Sequence, residues 1–233
     1  MNTSARPSSQ IRDATLVIVP AFNESVTIGK VIDDLVTAFP KVVIVDDGSS
    51  DTTSSIAKSR AVDVVRHPIN LGQGAAIMTG IAWGLRSTDF ETFATFDADG
   101  QHQVDDLVST VELLRASSVD VVLGSRFLGD DRGVPRAKRL MLKFATMQSR
   151  MVTRLKLTDT HNGLRAFTRV VASSVELSNG MSHASDFLWH VAREHYSVME
   201  SPTTILYTEY SKAKGQPMIN AVNILFDSLT RNR

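Results

Sequence analysis

The sequence predicts an α/β protein with a mostly parallel central sheet and helices on both of its faces. Short apolar, β-branched runs alternate with longer segments of helical period. Buried strands are expected at residues 15–19, 42–45, 62–65, 92–96 and 119–123. Helices are expected between them, at residues 25–38, 51–59, 74–85 and 104–116. Polar residues directly follow several of these strands, and ligands bind at the carboxyl ends of the strands in such sheets.

Composition narrows the class of protein. The chain has 233 residues, and 42% of them are hydrophobic, which is enough for one substantial core. Its 25 basic and 25 acidic residues balance, so no overall field attracts it to nucleic acid. It has no cysteine, which excludes disulfides, thiolate metal sites and a cysteine nucleophile. We expect a cytoplasmic protein, because a chain without cysteine fits a reducing compartment.

The alternation of strands and helices weakens after Leu123, but no linker divides the chain. A loop at 124–135 leads to a basic segment at 136–157, and a turn follows at 160–163. We further expect a helix at 183–194, an extended segment at 197–207 and a helix at 218–229. We therefore predict a flexible polar tail at 1–13, one domain at 14–216 and a C-terminal helix within 217–233.

Two strand ends carry polar side chains before a helix. The first strand ends in Pro20-Ala21-Phe22-Asn23-Glu24-Ser25, where Asn23 or Ser25 could simply cap the next helix. The second ends in Asp46-Asp47-Gly48-Ser49-Ser50-Asp51. Asp51 fits a capping role, but the adjacent carboxylates of Asp46 and Asp47 are costly unless they are solvated, paired or used for binding.

The fourth strand leads into Asp97-Ala98-Asp99-Gly100-Gln101-His102. Two carboxylates separated by one small residue form an oxygen-rich corner of the kind that Mg²⁺ and Mn²⁺ prefer. An Asp-x-Asp sequence is common by chance, but here it lies at a strand end in register with a second acidic strand end. The sequence therefore indicates a divalent metal site.

Other nucleotide and metal motifs are excluded. Gly72-Gln73-Gly74 follows the third strand rather than the first, and Ile77 stands where a dinucleotide fingerprint needs a small residue. The sequence has no Gly-x-x-x-x-Gly-Lys loop and no His-Glu-x-x-His motif. No histidines pair at zinc spacing, and the roles of His102 and His161 stay open.

Six segments together resemble glycosyltransferase family 2, and within it the polyprenyl- and dolichyl-phosphate sugar transferases. They are residues 17–24, 45–51, 70–80, 97–102, 124–126 and 162–167. The resemblance spans about residues 15–216 and implies a GT-A fold. It divides the domain into a nucleotide-sugar half at 14–130 and an acceptor half at 131–216.

The resemblance also implies roles for individual residues. The nucleotide site would include Asp97 and Arg126, and its nucleoside pocket would be lined by Pro20, Phe22, Glu24, Val45 and Asp47. The metal would be approached by Asp97, Asp99 and Gln101, with Arg126 on the donor diphosphate. Asp99, Arg126 and Asp186 are the catalytic candidates, and the acceptor phosphate would meet Arg165, Lys212 and Lys214. The family usually has Tyr where this chain has Phe22, so any hydrogen bond from that hydroxyl is lost.

The implied activity is a metal-dependent hexosyl transfer with inversion, from a UDP- or GDP-sugar to an acceptor. The foremost acceptor is a polyprenyl phosphate, in the synthesis of cell-envelope glycans or glycoconjugates. A carbohydrate hydroxyl is an alternative that would need a base, for which Asp186 is the candidate. A sugar nucleotidyltransferase and a non-catalytic binding protein of the same fold also stay open.

The basic segment suggests how a lipid acceptor could be reached. Between Arg132 and Leu157 the chain has eight Lys or Arg residues and no Asp or Glu. A helix there would carry a basic stripe beside an apolar face, as interfacial helices do. The helix could rest on the inner face of the membrane, or its apolar face could pack on the sheet. The expected partners are thus a nucleotide sugar, a lipid phosphate, and an anionic membrane or small membrane partner, but no nucleic acid.

Overall fold

The computed structural model of the protein describes residues 8–129, 136–178 and 183–206. The strands in these ranges are β1 (Thr15–Ala21), β2 (Val42–Asp46), β3 (Asp63–Arg66), β4 (Thr92–Thr95), β5 (Val121–Ser125), β6 (Arg165–Thr168) and β7 (Val198–Pro202). The helices are α1 (Ser8–Asp13), α2 (Ile28–Val36), α3 (Thr53–Lys58), α4 (Gln73–Leu85), α5 (Val104–Ser117), α6 (Arg136–Thr153), α7 (Arg169–Ser174) and α8 (His183–Arg193).

One seven-stranded sheet organises the fold, with strand order β3-β2-β1-β4-β6-β5-β7. All neighbouring strands are parallel except at β6, which runs antiparallel to both β4 and β5. The predicted fold class, a mostly parallel sheet flanked by helices, is therefore confirmed. Sequence analysis missed β6 and α7, which lie next to each other in the chain.

Alternation along the central strand creates two core layers. In β1, Val17 and Val19 face a layer that also contains buried residues of α2, α3 and α5. Leu16 and Ile18 face the opposite layer, with residues of α4, α7 and α8. Side chains of a strand point alternately to the two faces of its sheet, so one apolar run serves both layers. The two core layers hold the sheet between them, and the ends of its strands are therefore held in place at one edge.

Three expectations need correction or lie outside the described ranges. Strand β3 was expected to be buried, but it is an edge strand whose residues are partly or fully exposed. The flexible tail was expected to reach Asp13, but residues 8–13 form α1, where Ile11 packs against the core. Residues 1–7 and the helix expected within 217–233 lie outside the described residues. Among the described helices, none is long and apolar enough to cross a bilayer.

Candidate active site

The candidate residues meet at one edge of the sheet. The parallel strands β1, β2, β4 and β5 all end at this edge, and β6 begins there because it runs the opposite way. Arg165, the first residue of β6, is paired with Thr95 at the end of β4 and with Leu123 in β5. The edge therefore gathers the acidic residues that follow β2 and β4, together with Arg126, which follows β5, and Arg165, which begins β6.

Asp97 lies at the centre of this edge in a fixed orientation. Its Oδ1 accepts a hydrogen bond from Gln73 Nε2 at 3.1 Å, and its Oδ2 lies 3.1 Å from His102 Nε2. Gly163 packs against the carboxylate so closely that a Cβ there would lie 2.5 Å from Asp97 Cγ. Burial alone would raise the pKa of Asp97, but the His102 hydrogen bond and charges that include Arg165 hold it below its usual value. The carboxylate is thus kept ionised.

Asp99 and Gln101 form the second part of the acidic corner. Gln101 donates to Asp99 from its backbone N at 3.0 Å and from Nε2 at 2.5 Å. Burial and the nearby charge of Asp97 raise the pKa of Asp99 above its usual value. A cation at this corner would relieve that repulsion.

The corner fits a hard divalent cation whose shell is completed by the ligand. Asp97, Asp99 and Gln101 offer carboxylate and amide oxygens within one short segment. In the described ranges, no three His, Asp or Glu side chains converge to hold a metal by themselves. Mg²⁺ is commonly held by one or two carboxylates together with water and substrate phosphates, which matches this incomplete set.

Asp47 anchors the loop that precedes α4. Its Oδ1 lies 2.7 Å from His67 Nδ1 and accepts from Leu71 N at 2.9 Å, while its Oδ2 accepts from Gly72 N at 2.8 Å. His67 Nε2 in turn lies 2.9 Å from Thr79 Oγ1 in α4. Asp47 therefore shapes the edge through this loop, and its contact with a nucleoside stays a prediction. Sequence analysis did not identify His67, since nothing in its neighbours indicates this long-range contact.

The other nucleoside-pocket candidates differ in exposure. Phe22 is 40% exposed and lies directly after β1. Glu24 is buried, and its Oε2 accepts from Thr27 Oγ1 at 3.2 Å. Pro20 and Val45 are buried neighbours in the β1–β2 register, and Val45 packs in the core. In this structure the side chain of Val45 belongs to the core.

Asp51 holds the start of α3 as expected, but from the residue before the N-cap, because the N-cap position is Thr52. Its Oδ1 accepts from the backbone N of Thr53, the first residue of α3, at 2.9 Å. Its Oδ2 accepts from Ser25 N at 3.1 Å and so ties this turn to the loop after β1. Burial opposes ionisation, but these hydrogen bonds lower the pKa of Asp51 to about 2.

Arg126 is held in a buried ion pair. Its Nε donates to Asp159 Oδ2 at 2.5 Å, and its Nη2 donates to the carbonyl of His161 at 3.1 Å. Glu200 of β7 accepts from the backbone N of both Thr158 and Asp159, so it fixes the turn that carries this partner. Asp159 and Glu200 were not identified from sequence. The contact of Arg126 with a donor diphosphate stays a prediction.

Arg165 places a second guanidinium at the edge. It is only 4% exposed, its Cζ lies 4.9 Å from the centroid of the Phe187 ring, and its Nε donates to the carbonyl of Asn162 at 3.4 Å. Burial lowers the pKa of Arg165 to about 10, opposed by the charges of Asp97 and Asp159. It remains a cation at neutral pH, beside the acidic corner.

Among the remaining candidates, Asp186 is held by the segment that precedes α8. The Oδ2 of Asp186, in the first turn of α8, accepts from Ser178 N at 3.2 Å and from Ser178 Oγ. These contacts link the start of α8 to the preceding segment, and a role as base stays a prediction. Lys212 and Lys214 lie outside the described residues. Of the two histidines whose roles were open, His102 contacts Asp97 through its imidazole. The imidazole of His161 lies 2.9 Å from Thr160 Oγ1, and its backbone carbonyl accepts from Arg126.

Comparisons with known proteins identify the family and support the fold. The profile of Glycosyl transferase family 2 matches residues 16–175. A polyprenol monophosphomannose synthase of Mycolicibacterium smegmatis is 31% identical over 214 residues, which cover 86% of this chain and 80% of that protein. A UDP-N-acetylglucosamine–dolichyl-phosphate N-acetylglucosaminyltransferase of Methanococcus voltae is 29% identical, covering 90% of this chain and 92% of that protein.

A solved structure shows the same architecture. Glucosyl-3-phosphoglycerate synthase from Mycobacterium tuberculosis, in complex with Mn²⁺, uridine diphosphate and glucosyl-3-phosphoglycerate, superposes with a TM-score of 0.75. The likeness covers 99% of this chain and 86% of that one at 16% sequence identity, so it concerns the fold alone. The GT-A fold implied by the sequence motifs is thereby confirmed. With the family profile matching most of the chain, this protein belongs to glycosyltransferase family 2.

Proposed function

We propose that this protein transfers a hexose, with inversion, from a UDP- or GDP-sugar to a polyprenyl phosphate. The observation that carries the proposal is the acidic corner of Asp97 and Asp99 beside the buried cation of Arg165. Carboxylates suit a divalent cation, and guanidinium groups suit phosphate oxygens. A nucleoside diphosphate needs both kinds of partner at one place.

The names of the relatives support a lipid phosphate as acceptor. The two similar proteins named above carry a polyprenol or dolichyl phosphate in their names, although their sugars differ. A phosphate is anionic at neutral pH and attacks without a base, whereas a sugar hydroxyl needs one. Asp186, the candidate base, is engaged with Ser178, which favours the phosphate over the hydroxyl.

The reaction we propose is a single displacement. An oxygen of the acceptor phosphate forms a bond to the anomeric carbon while the bond from that carbon to the diphosphate oxygen breaks. Mg²⁺ or Mn²⁺, held by Asp97, Asp99 and Gln101, would supply Lewis-acid stabilisation of the diphosphate. Phe22, half exposed at the end of β1, would stack on the nucleoside base.

Arginine side chains of the protein would balance the negative charge that accumulates on the leaving diphosphate. The resemblance assigned Arg165 to the acceptor phosphate, but it lies beside Asp97, so we place it together with Arg126 on the leaving diphosphate. Both are already fixed by neighbouring carbonyls, a ring and a carboxylate, so they need little reorganisation during the reaction. Removing one such preorganised group commonly costs about 3 kcal/mol of barrier, or some hundredfold in rate. We expect Lys212 and Lys214 to serve the acceptor phosphate.

Product analysis tests the proposal. The protein would be incubated with labelled UDP- and GDP-sugars, Mn²⁺ and a polyprenyl phosphate, and the lipid and aqueous phases would be analysed separately. We expect a lipid-linked sugar phosphate of inverted anomeric configuration, with one nucleoside diphosphate released per sugar. Retained configuration would refute the mechanism. Consumption of nucleoside triphosphate with release of pyrophosphate would instead indicate a nucleotidyltransferase.

A further inference from the structure

Helix α6 presents a stripe of large apolar side chains to solvent. Leu140 is 73% exposed, Phe144 54%, Met147 49% and Met151 68%. Their spacing of four, three and four residues places them on one side of the helix. Scattered apolar residues are normal at protein surfaces, but a continuous stripe of this kind marks an interaction surface.

The opposite side of α6 is the side that packs on the domain. Leu142 and Thr146 are buried, and Thr146 Oγ1 lies 3.4 Å from Thr160 Oγ1. The helix also contacts α8. The sequence left two arrangements of this helix open. In the part of the chain that the structure describes, the apolar face is exposed, so the prediction that it packs on the sheet is wrong.

Basic side chains flank the exposed stripe. Lys143 and Arg150 are exposed and lie on the adjoining side of the helix, at about 100° per residue, and the exposed Arg154 follows directly after the helix. Residues 136–157 contain no Asp or Glu. An apolar stripe with positive charge along one border and no acidic residue in the same helix is complementary to an anionic lipid surface, with basic groups at the headgroups and apolar groups below them.

We propose that this face of α6 docks on an anionic membrane. As a route to the acceptor lipid, the proposal rests on the proposed function. The inner side of the helix touches Thr160, which adjoins Asp159, the partner of Arg126. Docking would therefore bring the turn that positions Arg126 close to the lipid headgroups.

Charge argues against two other occupants of this face. A second copy of the chain would bring two basic surfaces together. Residues 217–233 contain two arginines and one aspartate, so they are not complementary to a basic helix either. An anionic lipid surface satisfies both the apolar stripe and its basic border.

Vesicle flotation with charge variants tests the docking. Wild type should float with vesicles of phosphatidylcholine and phosphatidylglycerol, much less with phosphatidylcholine alone, and less at high salt. The variant with Lys143→Gln, Arg150→Gln and Arg154→Gln should lose roughly fivefold in partitioning per residue, or about a hundredfold in all. The matched control combines Lys30→Gln, Lys41→Gln and Lys58→Gln. These exposed lysines lie in α2, directly before β2 and in α3.

The control triple loses the same charge and should float like wild type. Absence of flotation by wild type, or equal loss in both triple variants, would overturn the proposal. A variant of the stripe, Leu140→Ser with Met151→Ser, should also lose binding, whereas Val170→Ser, at a position 63% exposed on α7, should not. A dimer that these stripe substitutions dissociate, without vesicle binding, would show that a second copy covers the face.

Transfer assays separate this proposal from the proposed function. The basic triple variant should transfer sugar normally to a short-chain, water-soluble polyprenyl phosphate but poorly to a long-chain acceptor embedded in anionic vesicles. Failure of wild type with both acceptors would refute the proposed function while flotation still decides the docking. Equal transfer by wild type and the variant to the embedded acceptor would contradict docking through α6.

Discussion

Replacing Gly163 by alanine should displace the Asp97 carboxylate without direct change to any charged group. The added Cβ would lie 2.5 Å from Asp97 Cγ and 2.6 Å from Oδ1, far inside the normal carbon contact of about 3.5–4.0 Å. The loop is held on its own side, because the Gly163 carbonyl accepts from Thr95 Oγ1 at 2.7 Å. The carboxylate must therefore move, which breaks its contacts with Gln73 and His102.

The size of the effect follows from these contacts. Inserting one methyl group into a tightly packed place costs typically about 1–3 kcal/mol of the free energy of unfolding. Misplacing a preorganised group at a reacting centre costs some hundredfold in rate. We therefore expect Gly163→Ala to fold with modestly reduced stability, to bind nucleoside diphosphate more weakly and to transfer sugar about a hundredfold more slowly.

Gly84→Ala provides the matched control. Its Cβ would lie 2.7 Å from Phe93 Cε1, in the core and away from the site edge. Chemical denaturation should show a similar loss of stability for both variants, while calorimetry and initial rates should show a functional loss only for Gly163→Ala. Wild-type affinity and rate in a folded Gly163→Ala protein would refute the role given to Asp97.

Three further substitutions test other parts of the site. Asp159→Asn leaves Arg126 buried without its anionic partner and should reduce the free energy of unfolding in urea by about 3–5 kcal/mol. Asp33→Asn, which breaks the solvent-exposed pair with Arg60, should change the free energy of unfolding little. Burial lowers the pKa of His161, so the unfolded chain binds more protons than the fold and stability should fall as pH drops below the ordinary value of 6.5. His161→Gln should flatten that fall in urea titrations, and an unchanged slope would contradict it. Asp99→Asn should slow transfer by at least about a hundredfold. It should not lower thermal stability, because folding raises the pKa of this carboxyl and the ionised group therefore destabilises the fold as pH rises through that value. Normal turnover by the variant would place the metal site elsewhere.

Local patterns predicted the framework well because they report directly on backbone geometry. The apolar runs at β1, β2, β4 and β5 each end within two residues of the predicted position. The acidic ends of β2 and β4 were visible because polar side chains stand out immediately after buried strands. Their convergence at one edge followed from the parallel arrangement alone.

The parts that escaped prediction depend on contacts distant in sequence. β6 has only four residues and comes just after the predicted turn at 160–163, so neither its length nor its composition indicated a strand. The pair of Arg126 with Asp159 joins residues 33 positions apart, and Glu200 lies a further 41 beyond Asp159. Such pairs are set by the order of strands in the sheet, which periodicity does not determine.

The orientation of α6 was likewise undetermined by sequence. A helical wheel gives an apolar face and a basic stripe, but either face could have packed on the domain. The structure buries Leu142 and Thr146 and leaves Leu140, Phe144 and Met151 exposed. A small polar residue that contacts the turn at Thr160 thus helps to decide which side faces inward.

Metal-dependent binding of a nucleoside diphosphate is the most direct measure of the central claim, that the acidic corner and its neighbouring arginines hold a nucleotide-sugar donor. Thermal unfolding of wild type and Asp99→Asn should be followed with UDP and GDP, each with and without Mn²⁺ or Mg²⁺. Ligand binding to the native state raises stability by mass action, so one of the two nucleotides should raise the Tm of wild type far more with metal than without it. This gain should be lost in Asp99→Asn. The absence of any shift with either nucleotide at millimolar metal, or an equal shift in the variant, would contradict the account.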